Sequence, residues 1–106
     1  MHAIALHLTK KIYDMKKFIV ERNVLGAGRM TEEELQAISR TSNAVISVLG
    51  RPYTWIESFV TDDKIICIHE AENETDIREH AKCGNFPADH IEEIKAIIGP
   101  KTADDL

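Results

Sequence analysis

The sequence predicts an α+β domain whose elements follow the order β-α-β-β-α-β, and three observations lead to this prediction. Segments 16–23, 53–60 and 64–71 alternate in polarity or are rich in β-branched and aromatic residues, as strands are. Segments 31–50 and 73–84 begin at a capping residue and end at glycine, as helices do. The length of 106 residues fits one domain with one modest core. This order predicts a four-stranded antiparallel sheet with two helices on one face.

The first strand is predicted at Lys16–Asn23, because Phe18 and Val20 point to one face while Ile19 and Glu21 point to the other. The sequence LGAGR that follows contains two glycines. It lacks the Gly-Lys-Ser/Thr ending of a phosphate-binding loop, so we interpret it as a turn.

Thr31 begins the first helix and forms a capping box with Glu34, in which each side chain bonds the other's backbone N–H. Gly50 provides a left-handed C-cap, and Pro52 prevents the helix from continuing. Residues at helical spacing mark the buried stripe: Leu35, Ile38, Ser42, Val45 and Leu49.

The next two strands form a predicted hairpin, with Thr61-Asp62-Asp63-Lys64 as the turn. In the first strand, alternation is expected to place four residues on one face: Tyr53, Trp55, Glu57 and Phe59. The second strand is apolar on both faces, which favours a central position in the sheet. One of its faces carries Ile65, Cys67 and His69, and the other carries Ile66, Ile68 and Glu70.

The second helix is predicted to begin after Asn73 and to end at Gly84. The pattern that follows is ambiguous, because the isoleucines of segment 91–98 have helical spacing while the sheet still needs a fourth strand. We expect a turn of helix at 88–91 and then that strand.

Composition argues against several classes of protein and of partner. The net charge is −5 and the only basic cluster is formed by Lys10, Lys11, Lys16 and Lys17, which argues against nucleic-acid binding. No apolar run is long enough to cross a membrane. Two cysteines do not make a disulfide framework, so we expect a cytoplasmic protein with free thiols.

We divide the chain into three parts: an N-terminal extension at 1–15, native or left from cloning, a domain at 16–99 and an acidic tail at 100–106.

The stretch REHAKCGNFPADHIEEI, residues 78–94, concentrates side chains that bind metals. His80 and Cys83 are three residues apart on the second helix, so both can reach one ion, and imidazole with thiolate suits zinc, nickel or copper. The competing interpretation makes His80 a half-buried polar residue and Cys83 a small core residue. Glu21 and Glu70 are strand carboxylates that either supply oxygen ligands, act as an acid/base pair, or pair with arginine.

Several segments resemble the DUF4242 family of small ferredoxin-like proteins, which includes a nickel-responsive, nickel-binding member. These are FIVERN, SNAVISVLG, TWIESFVTDDKIICIHEA and DIREHAKCGNFPADHIEEI, and the resemblance covers 17–98. It implies a ferredoxin-like fold, a homodimer and, in some members, bound nickel. His80 matches the family's helix histidine, and Glu21 and Glu70 match its strand acids. Asn85 stands where nickel-binding relatives can have histidine, and His90 stands where arginine or glutamate is common.

We therefore expect a small soluble homodimer that binds nickel or zinc without catalysis, with His80 as the core ligand. The supporting ligands would come from Glu21, Glu70, Cys83 or His90. One alternative is an enzyme of the dimeric α+β barrel type, or a small-ligand-binding module, in which His80 or His69 acts as general base in the sheet cleft. A binding module with purely structural histidines is the third interpretation.

Overall fold

The computed structural model describes residues 14–104 of the chain. Within that range the strands are β1 (Lys16–Asn23), β2 (Tyr53–Val60), β3 (Lys64–Ala71) and β4 (His90–Glu93). The helices are α1 (Glu32–Leu49) and α2 (Glu74–Gly84), with short 3₁₀ turns at Ala27–Arg29 and Pro100–Asp104. The predicted order of elements is confirmed. The N-terminal extension lies mostly outside the described residues.

The four strands form one antiparallel sheet in the order β2-β3-β1-β4. The predicted central position of β3 is confirmed, since it lies between β2 and β1. The α+β fold predicted from the sequence, ferredoxin-like with two helices against a four-stranded sheet, is therefore present.

The sheet has two faces of different character, and β1 illustrates the alternation that separates them. Phe18, Val20 and Arg22 are buried, whereas Ile19 and Glu21 between them are only partly buried. We call the buried side the covered face, because both helices pack on it; in the described part of the chain no helix packs on the opposite side, the open face. Strand alternation and register then assign every strand residue to one face.

Both helix N-termini are capped as the sequence predicts. The Thr31 hydroxyl accepts a hydrogen bond from the Glu34 backbone N–H at 3.1 Å, and the Glu34 carboxylate accepts one from the Thr31 backbone N–H at 2.9 Å. Asn73 accepts from the backbone N–H of Asp76 at 3.0 Å. Gly50 ends α1 in the left-handed conformation, at φ 68°.

Two local expectations were wrong. The register of β2 against β3 shifts between Trp55 and Glu57, so a β-bulge turns the strand over. Trp55 pairs with His69 on the covered face, while Phe59 pairs with Ile66 on the open face. The expected shared face of Tyr53, Trp55, Glu57 and Phe59 is therefore split.

The expected turn of helix at 88–91 is absent, because His90–Glu93 is already strand β4. The main-chain N–H of Asp89 bonds the carbonyl of Glu21 at 2.9 Å, so pairing with β1 begins before the isoleucine pattern can form a helix. In the described range, no helix is long and apolar enough to span a membrane.

Candidate functional site

A cluster of rings lies buried between α2 and the covered face. Tyr53 comes from β2, His69 from β3 and His80 from α2, and the ring centroids of the three lie 5.0–5.3 Å apart. Phe86, just after α2, stacks on His80 at 5.6 Å. Both histidines are 1% exposed. The buried side of α2 therefore places the His80 imidazole against the His69 imidazole of β3.

Hydrogen bonding fixes only part of this cluster. The Ser42 hydroxyl of α1 lies 3.0 Å from Nε2 of His80, which joins the two helices. Four buried polar atoms have no partner among the described residues: Tyr53 Oη, His69 Nδ1, His80 Nδ1 and Asp76 Oδ2. Buried polar atoms are usually paired. Three of these four atoms belong to the rings of the cluster.

Both buried imidazoles are neutral near pH 7. Burial lowers the pKa of His69 to about 3, helped by the neighbouring His80 and by Arg22. Burial lowers the pKa of His80 to about 4, with Arg22 adding to the effect and the Ser42 contact opposing it. Burial also raises the pKa of the Tyr53 hydroxyl. The common cause is that a low-dielectric interior disfavours the charged form of each group.

Arg22 places a positive charge on the same covered face of the sheet. It is 5% exposed, donates from Nε to Cys67 Sγ at 3.4 Å and from Nη1 to the Pro87 carbonyl at 2.6 Å. Its guanidinium lies 5.4 Å from the centroid of the Phe86 ring. Beside it a cavity of about 180 Å³ separates α1 from β2 and β3, and His69 lines the same cavity.

A second polar group lies on the open face at the sheet edge. Glu21 of β1 is the cross-strand partner of His90 of β4, and Nε2 of His90 lies 2.9 Å from a Glu92 carboxylate oxygen. Glu21 also forms an ion pair with Lys64 at 3.2 Å. The hydrogen bond to Glu92, together with the charge of Glu21, raises the pKa of His90.

The structure does not bring the predicted ligand set together. His80 lies on the covered face, whereas Glu21 and Glu70 are on the open face, because both pair with open-face residues. Glu70 is ion-paired with Lys17 at 3.1 Å.

Cys83 is exposed at the far side of α2, 3.6 Å from a Glu79 oxygen, and slight desolvation and the Glu79 carboxylate raise its pKa. Of the five predicted residues, Glu21 and His90 are cross-strand partners, while His80 and Cys83 on the same helix lie in different surroundings, one buried and one exposed. Residues 14–104 contain no group of three or more histidine, cysteine or acidic side chains placed to hold one ion.

Sequence reasoning missed the importance of Arg22 and Ser42. Alternation in β1 already puts Arg22 on the same face as Phe18 and Val20, so a buried charge was visible in the pattern. Ser42 likewise stands within the apolar stripe of α1, at a position that turns out to be 5% exposed. A polar residue at a core position is the signal for such sites.

The topology and the single helix-covered sheet define a small ferredoxin-like α+β protein. A family model described as nickel responsive protein, SCO4226-like, matches residues 18–94, and the chain belongs to that family. The expected resemblance to a family with a nickel-responsive member is thereby supported, although the match carries this description and not the DUF4242 name.

The chain is also similar to the crystal structure of SCO4226 from Streptomyces coelicolor A3(2). The TM-score is 0.67 and the identity 14%, over 77% of this chain and 99% of the other. At that identity the likeness concerns the fold alone. No curated protein matches the sequence.

Proposed function

We propose that the protein is a cytoplasmic homodimer that binds a divalent transition metal, such as nickel, without catalysing a reaction. The observation that supports this proposal is that Glu21 and His90 are cross-strand partners on the open face, with Glu92 hydrogen-bonded to His90. Within residues 14–104 these side chains do not form a three-ligand site by themselves. Membership of a family described as nickel responsive adds support. Both thiols are free, in keeping with a reducing compartment.

The open-face group has suitable ligand chemistry. Imidazole binds nickel and zinc well, and carboxylates supply hard oxygen ligands and negative charge. His90 is exposed, so its ring can turn from Glu92 towards an ion at little cost. Because one chain contributes few ligands at this place, water or a second copy of the chain would complete the coordination.

A dimer through the open face would also cover its apolar surface. Ile19, Ile66 and Ile68 form a partly buried aliphatic strip in the middle of that face, and Phe59 beside them is 51% exposed. An apolar strip rimmed by charged residues is typical of an interface between proteins. The same packing would bring the metal group of one chain close to the second chain.

The enzyme interpretation has weaker physical support. A general base works best when its pKa lies near the working pH. The pKa values of about 3 and about 4 make His69 and His80 poor bases at neutral pH.

Calorimetric titration with nickel chloride tests the metal site. The parent for all titrations should carry His2→Ala and His7→Ala, since these two histidines of the extension also bear imidazoles. We expect His90→Ala to weaken nickel binding at least about tenfold, or about 1.4 kcal/mol. His80→Gln serves as the matched control and should bind like the parent. If His80→Gln weakens nickel binding and His90→Ala does not, His80 is the ligand instead of His90. A parent that binds no nickel would refute the proposal.

Light scattering tests the dimer. We expect twice the 12.0 kDa chain mass for the parent. Phe59→Lys should shift the mass towards one chain, while Val48→Lys, an exposed apolar residue of α1, should leave it unchanged. A parent of one chain mass at micromolar concentration would contradict the proposal.

A further inference from the structure

Arg22 is a buried cation without a counter-ion among the described residues. Its two hydrogen bonds go to the sulfur of Cys67 and to the main-chain carbonyl of Pro87. No carboxylate of residues 14–104 lies within ion-pair distance of it. An unpaired buried charge is costly, so such a group is normally matched by an anion.

The cavity beside Arg22 has the size and lining of a small-molecule site. Its volume of about 180 Å³ is smaller than that of a pocket for a drug-sized ligand, so it suits only a small ligand. Leu35, Ile38 and Trp55 supply apolar wall, and Arg22 with His69 supplies polar groups. A mostly apolar cavity with a few convergent polar groups is the usual form of a ligand site.

We propose that this cavity binds a small aliphatic monocarboxylate, whose carboxylate pairs with Arg22 and whose chain packs between α1 and Trp55. One guanidinium balances one negative charge, which favours a monoanion over a phosphate. A guanidinium has five N–H donors, and Arg22 uses one on Nε and one on Nη1. One donor on Nη1 and two on Nη2 remain, and guanidinium donors of this kind can bind a carboxylate with two parallel bonds.

His69 adds a neutral polar group to this site. It lines the cavity and is 1% exposed. A neutral imidazole can donate a hydrogen bond to a carboxylate without adding a second charge. The site is separate from the proposed metal group, because Arg22 and Glu21 project from opposite faces of β1.

Titration with sodium butyrate, with EDTA present, tests the proposal without reference to metal. Trp55 is the single tryptophan and lines the cavity, so its fluorescence reports occupancy. We expect a saturable change with butyrate and at least about tenfold weaker binding of butyramide, its uncharged isostere, equivalent to about 1.4 kcal/mol. Sodium chloride at equal ionic strength should give no saturable change.

Three variants test whether butyrate binds in the cavity beside Arg22. Arg22→Met keeps an unbranched side chain but removes the charge, and it should weaken butyrate binding at least about tenfold. Ser39→Leu fills the cavity from α1 and should abolish binding; Ser39 bonds only the Leu35 carbonyl of its own helix, so folding should survive. Arg40→Met, exposed on α1, should bind like the parent.

Each contrary result overturns the proposal. The first is that the parent gives no saturable response to butyrate. The second is that butyramide binds as well as butyrate, and the third is that a folded Arg22→Met variant binds butyrate like the parent. If Arg22→Met fails to fold, the comparison of Ser39→Leu with the parent and of butyrate with butyramide decides the matter. Nickel binding is unaffected by any of these outcomes.

Discussion

Acidification should destabilise this protein through its two buried histidines. Both side chains are neutral in the folded state, with pKa values lowered by burial from 6.5 to about 3 for His69 and about 4 for His80. In the unfolded chain each titrates near 6.5. Below that pH the unfolded state binds more protons than the folded state, so the free energy of unfolding must fall as the pH falls. The loss begins near pH 6.5 and is complete once the pH passes the folded-state values.

The size of the effect follows from those values. At about pH 4.5, His80 is mostly neutral in the folded chain and protonated in the unfolded chain, which lowers the free energy of unfolding by about 2.5 kcal/mol. His69 contributes a similar amount, so the pair accounts for about 5 kcal/mol. Single domains have a free energy of unfolding of roughly 5–15 kcal/mol. The two histidines therefore remove a large share of the stability by about pH 4.5.

Urea denaturation followed by far-ultraviolet circular dichroism measures this loss at pH 7 and about pH 4.5. His80→Gln removes one titrating group, and its own pH-dependent loss should be smaller than that of the parent by about 2.5 kcal/mol. His90→Gln is the control: the pKa of exposed His90 is raised by Glu92, so its contribution has the opposite sign, present at low pH and lost as the pH rises. A parent equally stable at both pH values, or a His80→Gln variant with an undiminished loss, would refute the reasoning.

Three further predictions concern single positions. Thr31→Ala should lower the free energy of unfolding by about 1 kcal/mol through loss of the N-cap of α1, without changing ligand binding; unchanged urea midpoints would contradict this. Gly84→Ala places a Cβ against the ring of Phe86, which stacks on His80, and should cost about 1–3 kcal/mol in the same assay, so a variant as stable as the parent would disprove the contact. Nickel affinity should fall as the pH falls through the raised pKa of His90, because the neutral imidazole is the ligand; calorimetry at three pH values with no such trend would exclude His90.

The helices and first three strands were predictable because their signals are local. Thr31 and Glu34 satisfy each other's backbone within one turn, and Gly50 adopts the left-handed conformation that its lack of Cβ permits. The end of the chain was not predictable in this way. The isoleucines after Pro87 have helical spacing, but β4 is set by pairing with β1, a contact between residues far apart in sequence.

The candidate sites depended on the same non-local information. The predicted set of His80 with Glu21 and Glu70 required the helix and the strand carboxylates to meet, and only the strand register assigns the carboxylates to the open face. The bulge in β2 had an equal effect. It leaves Trp55 on the covered face, where it lines the cavity, and places Phe59 on the open face. A single extra residue in a strand reverses which face every later side chain occupies.

Strand β1 places two opposite charges, those of Glu21 and Arg22, on opposite faces of the sheet. Glu21 and Arg22 are adjacent and oppositely charged, and on a loop they would be interpreted as a solvated ion pair. In an extended strand they point to opposite faces, so each must find its partner in a different environment. Glu21 meets Lys64 and His90 on the open face, while Arg22 is carried into the covered face with no acid beside it among the described residues. The alternation that builds the core thus also produces an unbalanced positive charge next to a cavity, and a carboxylate ligand is the simplest group that balances it.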